Sequence, residues 1–139
     1  MRVNQLAREI GVTADTVRFY TRIGYLKPAK NPSNGYKVYS PTDRRLLRFI
    51  LSARQLGFSV EDIGRILHTA DQGHSPCPLV RELIQQRLTE NEKQFQDSSR
   101  LRRRMMDAID AWSRKPDREP TGDMICHLIE EFSDDGLPS

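Results

Sequence analysis

Residues 11–26 read GVTADTVRFYTRIGYL, and this stretch decides the fold. Thr13 is placed to cap a helix, with Asp15 in the first turn, where the positive end of the helix dipole favours an acid. Val17, Tyr20 and Ile23 give that helix one apolar side, and Gly24 closes it. Upstream, Leu6 and Ile10 lie four apart and Gly11 stands as a stop, so a first short helix ends just before Thr13. Two short helices joined through Gly11-Val12-Thr13 predict a helix-turn-helix.

The flanks extend this reading. In NPSNGYKVYSP, residues 31–41, Asn34-Gly35 is a strong hairpin signal, because a type I′ turn needs positive φ at both central residues. Tyr36 and Val38 supply β-prone flanks, which predicts a two-stranded wing. Ser40-Pro41-Thr42-Asp43 offers an N-cap, a proline at the first helical position and an acid at the third. That helix carries Leu46, Leu47, Phe49, Ile50 and Leu51 and stops at Gly57. Ser59 and Asp62 repeat the capping-box form, with Phe58 and Ile63 as a hydrophobic staple and Ile63, Ile66 and Leu67 as the buried face.

DQGHSP, residues 71–76, breaks the chain. From Pro78 to the segment's end at Trp112 there is no further Gly or Pro. Ile84, Leu88, Asn91, Phe95, Ser98, Arg102, Met105, Ile109 and Trp112 alternate by four and three, which is a coiled-coil seam. A helix of ~50 Å needs a partner surface, so the pattern predicts a homodimer. Residues 113–123 form a charged loop, MICHLIEEF over Met124–Phe132 a short terminal helix or turn, and SDDGLPS a frayed end. The organisation is therefore a winged head over 1–70, a linker over 71–78, a dimerisation helix over 79–112 and a loop with a short helix over 113–139.

Composition agrees with two unlike halves. The 139 residues are 37% hydrophobic, enough for one modest core. The net charge of +3 is unevenly spread. Residues 1–70 hold twelve Lys/Arg against five Asp/Glu, and residues 71–139 hold ten against fourteen. The basic front predicts a polyanionic partner, and the acidic back a different task. An aromatic content of 7% disfavours a single-strand stacking platform. No apolar run approaches the ~20 residues of a membrane span. MRVNQLAREI also lacks a signal peptide's apolar core, so a cytoplasmic protein with no membrane partner is expected. Two cysteines are too few for a disulfide framework. P-loop, dinucleotide and HExxH patterns are missing, and Cys126-His127 are sequence neighbours, a poor nucleophile–base pair; no enzyme is expected.

Together the motifs resemble the DNA-binding domain of the MerR family of bacterial transcription regulators. The matching residues are Thr16-Val17-Arg18-Phe19-Tyr20, Gly24-Tyr25-Leu26-Lys27-Pro28, Asn34-Gly35-Tyr36-Lys37-Val38-Tyr39, and Leu56-Gly57-Phe58-Ser59 with Glu61 and Ile63. The resemblance departs at Thr21, where the family usually has an acidic residue. It implies a mainly α fold: a winged helix-turn-helix, a long antiparallel dimerisation helix and a C-terminal sensor loop. It also implies a homodimer on double-stranded promoter DNA whose spacer is too long. An effector makes the dimer bend and untwist that DNA, realigning it for RNA polymerase. Such an effector must favour the activating conformation over the repressing one.

For DNA contacts the reading names Thr13, Thr16, Arg18, Tyr20 and Arg22 around the second helix. Arg18 is the best base-edge candidate, with a phosphate contact equally open. Tyr36 and Lys37 on the wing, Arg44, and Arg54 in the third helix complete the set, with Arg45 and Arg48 nearby.

For the sensor, Cys77 lies between Pro76 and Pro78. With Pro78 as the first helical residue, Cys77 is the N-cap, a position whose free N–H groups suit an anionic ligand. The resemblance to the metal-sensing branch implies that Cys77 and Cys126, with His127 as the nearest extra donor, bind a metal ion. In an antiparallel dimer each Cys77 meets the partner's Cys126. A cysteine at the Cys77 position implies a divalent effector, zinc, cadmium, lead, cobalt or mercury, rather than monovalent copper. The branch usually has a further loop cysteine, and residues 113–125 hold none. His74, Glu119 and Asp123 are weaker donors. Oxidant or electrophile chemistry at the two thiols is the alternative.

Overall fold

The structure is a computed structural model that describes residues 1–136, with side chains to Phe132. Its elements run in the order α1 (Val3–Ile10), α2 (Ala14–Arg22), β1 (Ala29–Lys30), β2 (Lys37–Val38), α3 (Pro41–Gln55), α4 (Val60–Asp71), α5 (Cys77–Trp112) and α6 (His127–Gly136). The chain separates into two units, Met1–Leu88 and Thr89–Ser139. No helix among the described residues is long and apolar enough to cross a membrane.

The start and stop signals act as their chemistry dictates. Gly11 ends α1 at φ 86°, and Thr13 caps α2 by accepting from the Thr16 N–H. Both predicted capping boxes form, Ser40 with Asp43 on α3 and Ser59 with Asp62 on α4. Leu6, Val17, Leu26, Leu47, Ile50, Phe58 and Ile63 make the core of the first unit. Leu83 of α5 joins that core, with Leu79, Val80 and Ile84 packed against it. The first turns of α5 are therefore part of the head rather than a tether.

The wing differs from expectation in its turn. β1 and β2 pair antiparallel with Ala29 opposite Val38 and Lys30 opposite Lys37, which leaves a six-residue connection. Gly35 has φ 71°, but no described non-glycine residue has positive φ, so Asn34-Gly35 is not a type I′ turn. The connection is closed by backbone bonds, Asn31 N–H to the Tyr36 carbonyl at 2.8 Å and Gly35 N–H to the Asn31 carbonyl at 2.9 Å, and by two side chains. Asn31 Oδ1 accepts from Ser33 N at 2.8 Å, and Asn34 Oδ1 accepts from Tyr36 N at 3.0 Å.

In the second unit, α5 runs on to Trp112 and the chain returns through residues 113–126 into α6. Phe95, Leu101, Met105, Met106 and Ile109 are all exposed. The Trp112 ring meets Phe132 of the returning tail edge-on at 5.9 Å between centroids. α6 continues to Gly136, beyond the short helix expected, and the rest of the expected frayed end, Leu137–Ser139, lies outside the described residues.

Candidate functional site

The head carries a cationic cleft of about 730 Å³ between α1, α2 and the wing. Arg2, Asn4, Gln5, Arg8, Arg18, Thr21, Tyr36, Lys37 and Tyr39 are among its lining residues, and no carboxylate lines it. Arg18 pairs with Asp15 at 3.1 Å, but both side chains are open to water. Such an exposed pair contributes little, so the guanidinium can exchange to a nucleic acid at small cost. Lys37 and Tyr36 stand exposed on the wing.

Two residues missed by sequence reasoning belong here. The guanidinium carbon of Arg2 sits 3.6 Å from the centroid of the Tyr36 ring, a cation–π contact that ties the start of α1 to the wing. Arg8 lines the same cleft from α1. The signal was available: Leu6, Ala7 and Ile10 face inward, which turns Arg8 outward by helical periodicity.

The other named contacts are placed more variously. Thr13 and Thr16 are joined hydroxyl to hydroxyl at 3.0 Å, so both serve the α2 cap. Arg22 is exposed, with its guanidinium carbon 5.8 Å from the Phe19 ring centroid. Arg44 turns toward Glu9 of α1 at 3.6 Å. Arg54 keeps an exposed side chain while donating to the Phe58 carbonyl at 2.8 Å. The Tyr20 ring is packed in the core, the residue 5% exposed, with Phe19 edge-on at 5.0 Å and Tyr25 stacked at 6.3 Å.

Thr21 accounts for its own departure from the family pattern. Its hydroxyl donates to the Val17 carbonyl at 2.8 Å and lies 2.7 Å from the Tyr39 hydroxyl. A neutral side chain here links α2 to the wing without adding charge.

The residues expected to form a sensor, Cys77 and Cys126 with His127, fall in separate units. Cys77 is exposed and is the first residue of α5, not its N-cap. The Val80 N–H bonds the Pro76 carbonyl at 2.9 Å, so Pro76 takes the capping position. The Cys77 N–H donates to Ser75 Oγ at 3.3 Å. Cys126 is half-buried just before α6, and Glu130 Oε2 accepts from both its N–H at 2.8 Å and that of Ile125 at 3.0 Å. That carboxylate satisfies two otherwise unpaired donors at the helix start.

His127 is 4% exposed, more buried than an ordinary residue of a surface helix. Its Nε2 is 3.0 Å from the Pro116 carbonyl, so it donates there and fastens the loop to α6. Nδ1 is buried and faces Glu131 Oε2 at 3.7 Å without a well-aligned hydrogen bond. Glu131 also pairs with Lys115 at 2.9 Å and Arg118 at 3.4 Å. Within one chain, the described residues gather no group of three or more His, Cys, Asp or Glu that could hold a metal.

Comparison with known proteins identifies relatives of the chain. Residues 1–70 match the family described as MerR HTH family regulatory protein, and residues 44–108 match the one described as MerR, DNA binding. The HTH-type transcriptional regulator HmrR of Rhizobium leguminosarum bv. viciae is 31% identical over 136 residues, covering 96% of this chain and 98% of its own. The HTH-type transcriptional regulator ZntR of Escherichia coli K12 is 32% identical over 111 residues, 79% of each chain. Among solved structures, the dual function transcriptional regulator MerR from Bacillus megaterium MB1, in complex with mercury(II), aligns with a TM-score of 0.60. It is 26% identical over 94% of this chain and 98% of its own.

Proposed function

The chain belongs to the MerR family of helix-turn-helix regulatory proteins. From that premise we propose that it acts as a cytoplasmic homodimer which grips promoter DNA and distorts it for RNA polymerase when a divalent heavy or transition metal ion binds. The observation that carries the DNA half is the cleft, where Arg2, Arg8, Arg18 and Lys37 converge with no carboxylate between them. A concave cationic surface of this kind recruits phosphates, and Arg18 from α2 is the side chain offered to a base edge. Arg54 and Arg22 extend the grip along the phosphate backbone. The exposed stripe on α5 is the surface a second copy covers, since monomeric proteins seldom leave such a run of large apolar side chains in water.

The metal half rests on Cys77 and Cys126. Both are free thiols at helix starts, and the described residues of one chain assemble no complete site. We assign the ion to a site shared between protomers, with Cys77 from one chain and Cys126 from the other, and His127 Nδ1 as the added donor. Two thiolates suit a soft ion, and an imidazole extends the set toward a tetrahedral one. The mercury(II) complex of the Bacillus megaterium regulator supports a metal effector for this architecture. The bound ion would draw the two thiols together across the dimer, and the shift of equilibrium equals its differential affinity for the two states.

In vitro transcription from the protein's own promoter tests this with a panel of zinc, cadmium, lead, cobalt and mercury. A metal should activate the wild type and fail with Cys77→Ser or Cys126→Ser. Activation that survives both substitutions would overturn the site.

A further inference from the structure

The peptide plane between Phe58 and Ser59, at the corner joining α3 to α4, is held from both sides. Its carbonyl accepts from Arg54 Nη1 at 2.8 Å, and its N–H donates to Asp62 Oδ2 at 2.9 Å. A peptide unit is rigid and planar, so a shift of one partner is felt by the other. Asp62 is 5% exposed, an unusual place for a carboxylate. Its Oδ2 lies 3.2 Å from Arg87 Nε, which comes from the third turn of α5. At Nε the contact is an ion pair without hydrogen-bond alignment. A buried carboxylate deprived of its cation would pull back toward water or toward other donors. A connected polar path therefore runs from α5 to Arg54: Arg87, Asp62, the Phe58–Ser59 peptide, Arg54. All four lie in the first unit.

We propose that Arg87 is a positioning residue for Arg54, fixing through Asp62 and the Phe58–Ser59 peptide the direction in which the Arg54 guanidinium meets DNA. The inference rests on Arg54 as a DNA contact. It gives the dimerisation helix a direct hold on one phosphate-facing side chain, separate from the apolar packing of Leu83.

The test is a set of double-mutant cycles on operator affinity, measured by fluorescence anisotropy with the full-length protein and no added metal. Arg54→Ala should weaken operator binding about tenfold, and Arg87→Gln about threefold to fivefold. In the Arg54→Ala background, Arg87→Gln should add less than about twofold. With Lys37→Ala on the wing, Arg87→Gln should instead be additive. Arg87→Lys, which keeps the cation, should recover most of the loss.

Three results overturn the proposal. Arg87→Gln may leave affinity unchanged, which removes the effect to be explained. Its effect may multiply fully with Arg54→Ala, which reduces Arg87 to a general stabiliser of the head. Arg54→Ala may itself be neutral, which removes the DNA role of Arg54 first and is distinguishable because that single variant alone reports it.

Discussion

The indole Nε1–H of Trp112 donates to the main-chain carbonyl of Leu128 at 3.0 Å, so the last residue of α5 holds the first turn of α6. Trp112→Phe keeps an aromatic ring against Phe132 but deletes the donor. The loss should cost the tail about 1 kcal/mol. Amide hydrogen exchange over residues 126–132 should then speed up about fivefold, while exchange in α1 to α4 stays unchanged.

The same tail has a pH limit. The Lys115 ammonium bonded to Glu131 holds that carboxyl below the usual carboxylate range, assisted by the charge of Lys115 and by His127. A depressed folded-state pKa means a contribution present above the ordinary value near 4.5 and lost as pH falls through the lower one. Tail protection should therefore decline as the solution is taken below the ordinary carboxylate range. Glu131→Gln should show weaker protection near neutrality and a flatter pH profile.

Gly64 is a steric position rather than a conformational one. A Cβ there would stand 2.3 Å from the Tyr25 hydroxyl oxygen, which donates to the Val60 carbonyl at 2.7 Å. Gly64→Ala must displace that hydroxyl and should destabilise the head by about 1–3 kcal/mol. Adding Tyr25→Phe removes the atom in conflict, so the double variant should melt above Gly64→Ala alone. Thermal unfolding of the three variants checks this, and a strictly additive loss would contradict it.

The stripe on α5 predicts an oligomeric effect without a folding effect. Phe95 is 64% exposed and Ile109 67% in the single chain, so neither contributes to its core. Phe95→Glu with Ile109→Glu should leave helix content intact and shift sedimentation to that of a monomer. Operator affinity should fall at least tenfold, since two linked heads gain effective concentration that one head lacks.

Sequence made the head legible where a side chain writes its own backbone bond. Ser40 with Asp43, and Ser59 with Asp62, are local chemistry at fixed spacing, and each box forms. The wing turn was misread because Asn34-Gly35 carries the same letters whether Asn34 twists to positive φ or bonds forward to Tyr36. The choice belongs to the six-residue loop as a whole. The depth of the Tyr20 ring is not legible, because its neighbours Arg18 and Arg22 lie outside while the ring faces Tyr25 across a contact no local pattern encodes. Cys77 was placed one residue too early because Pro76 and Pro78 flank it and either could open the helix. The burial of His127 and the bond from its Nε2 to Pro116 depend on how residues 113–126 return to α6, which no periodicity records. The Arg87–Asp62 pair spans two helices, so only the folded head displays it.

Thr21 has a kinetic consequence. An acidic side chain at this position would put a fixed negative charge on the wall of the cleft lined by Arg2, Arg8, Arg18 and Lys37. The hydroxyl that stands there instead adds no further negative charge to those cations. Fields of that kind act before contact, by funnelling diffusional encounters toward one face of the molecule. A neutral residue at this junction therefore favours the speed with which the head finds a duplex, quite apart from how firmly it stays.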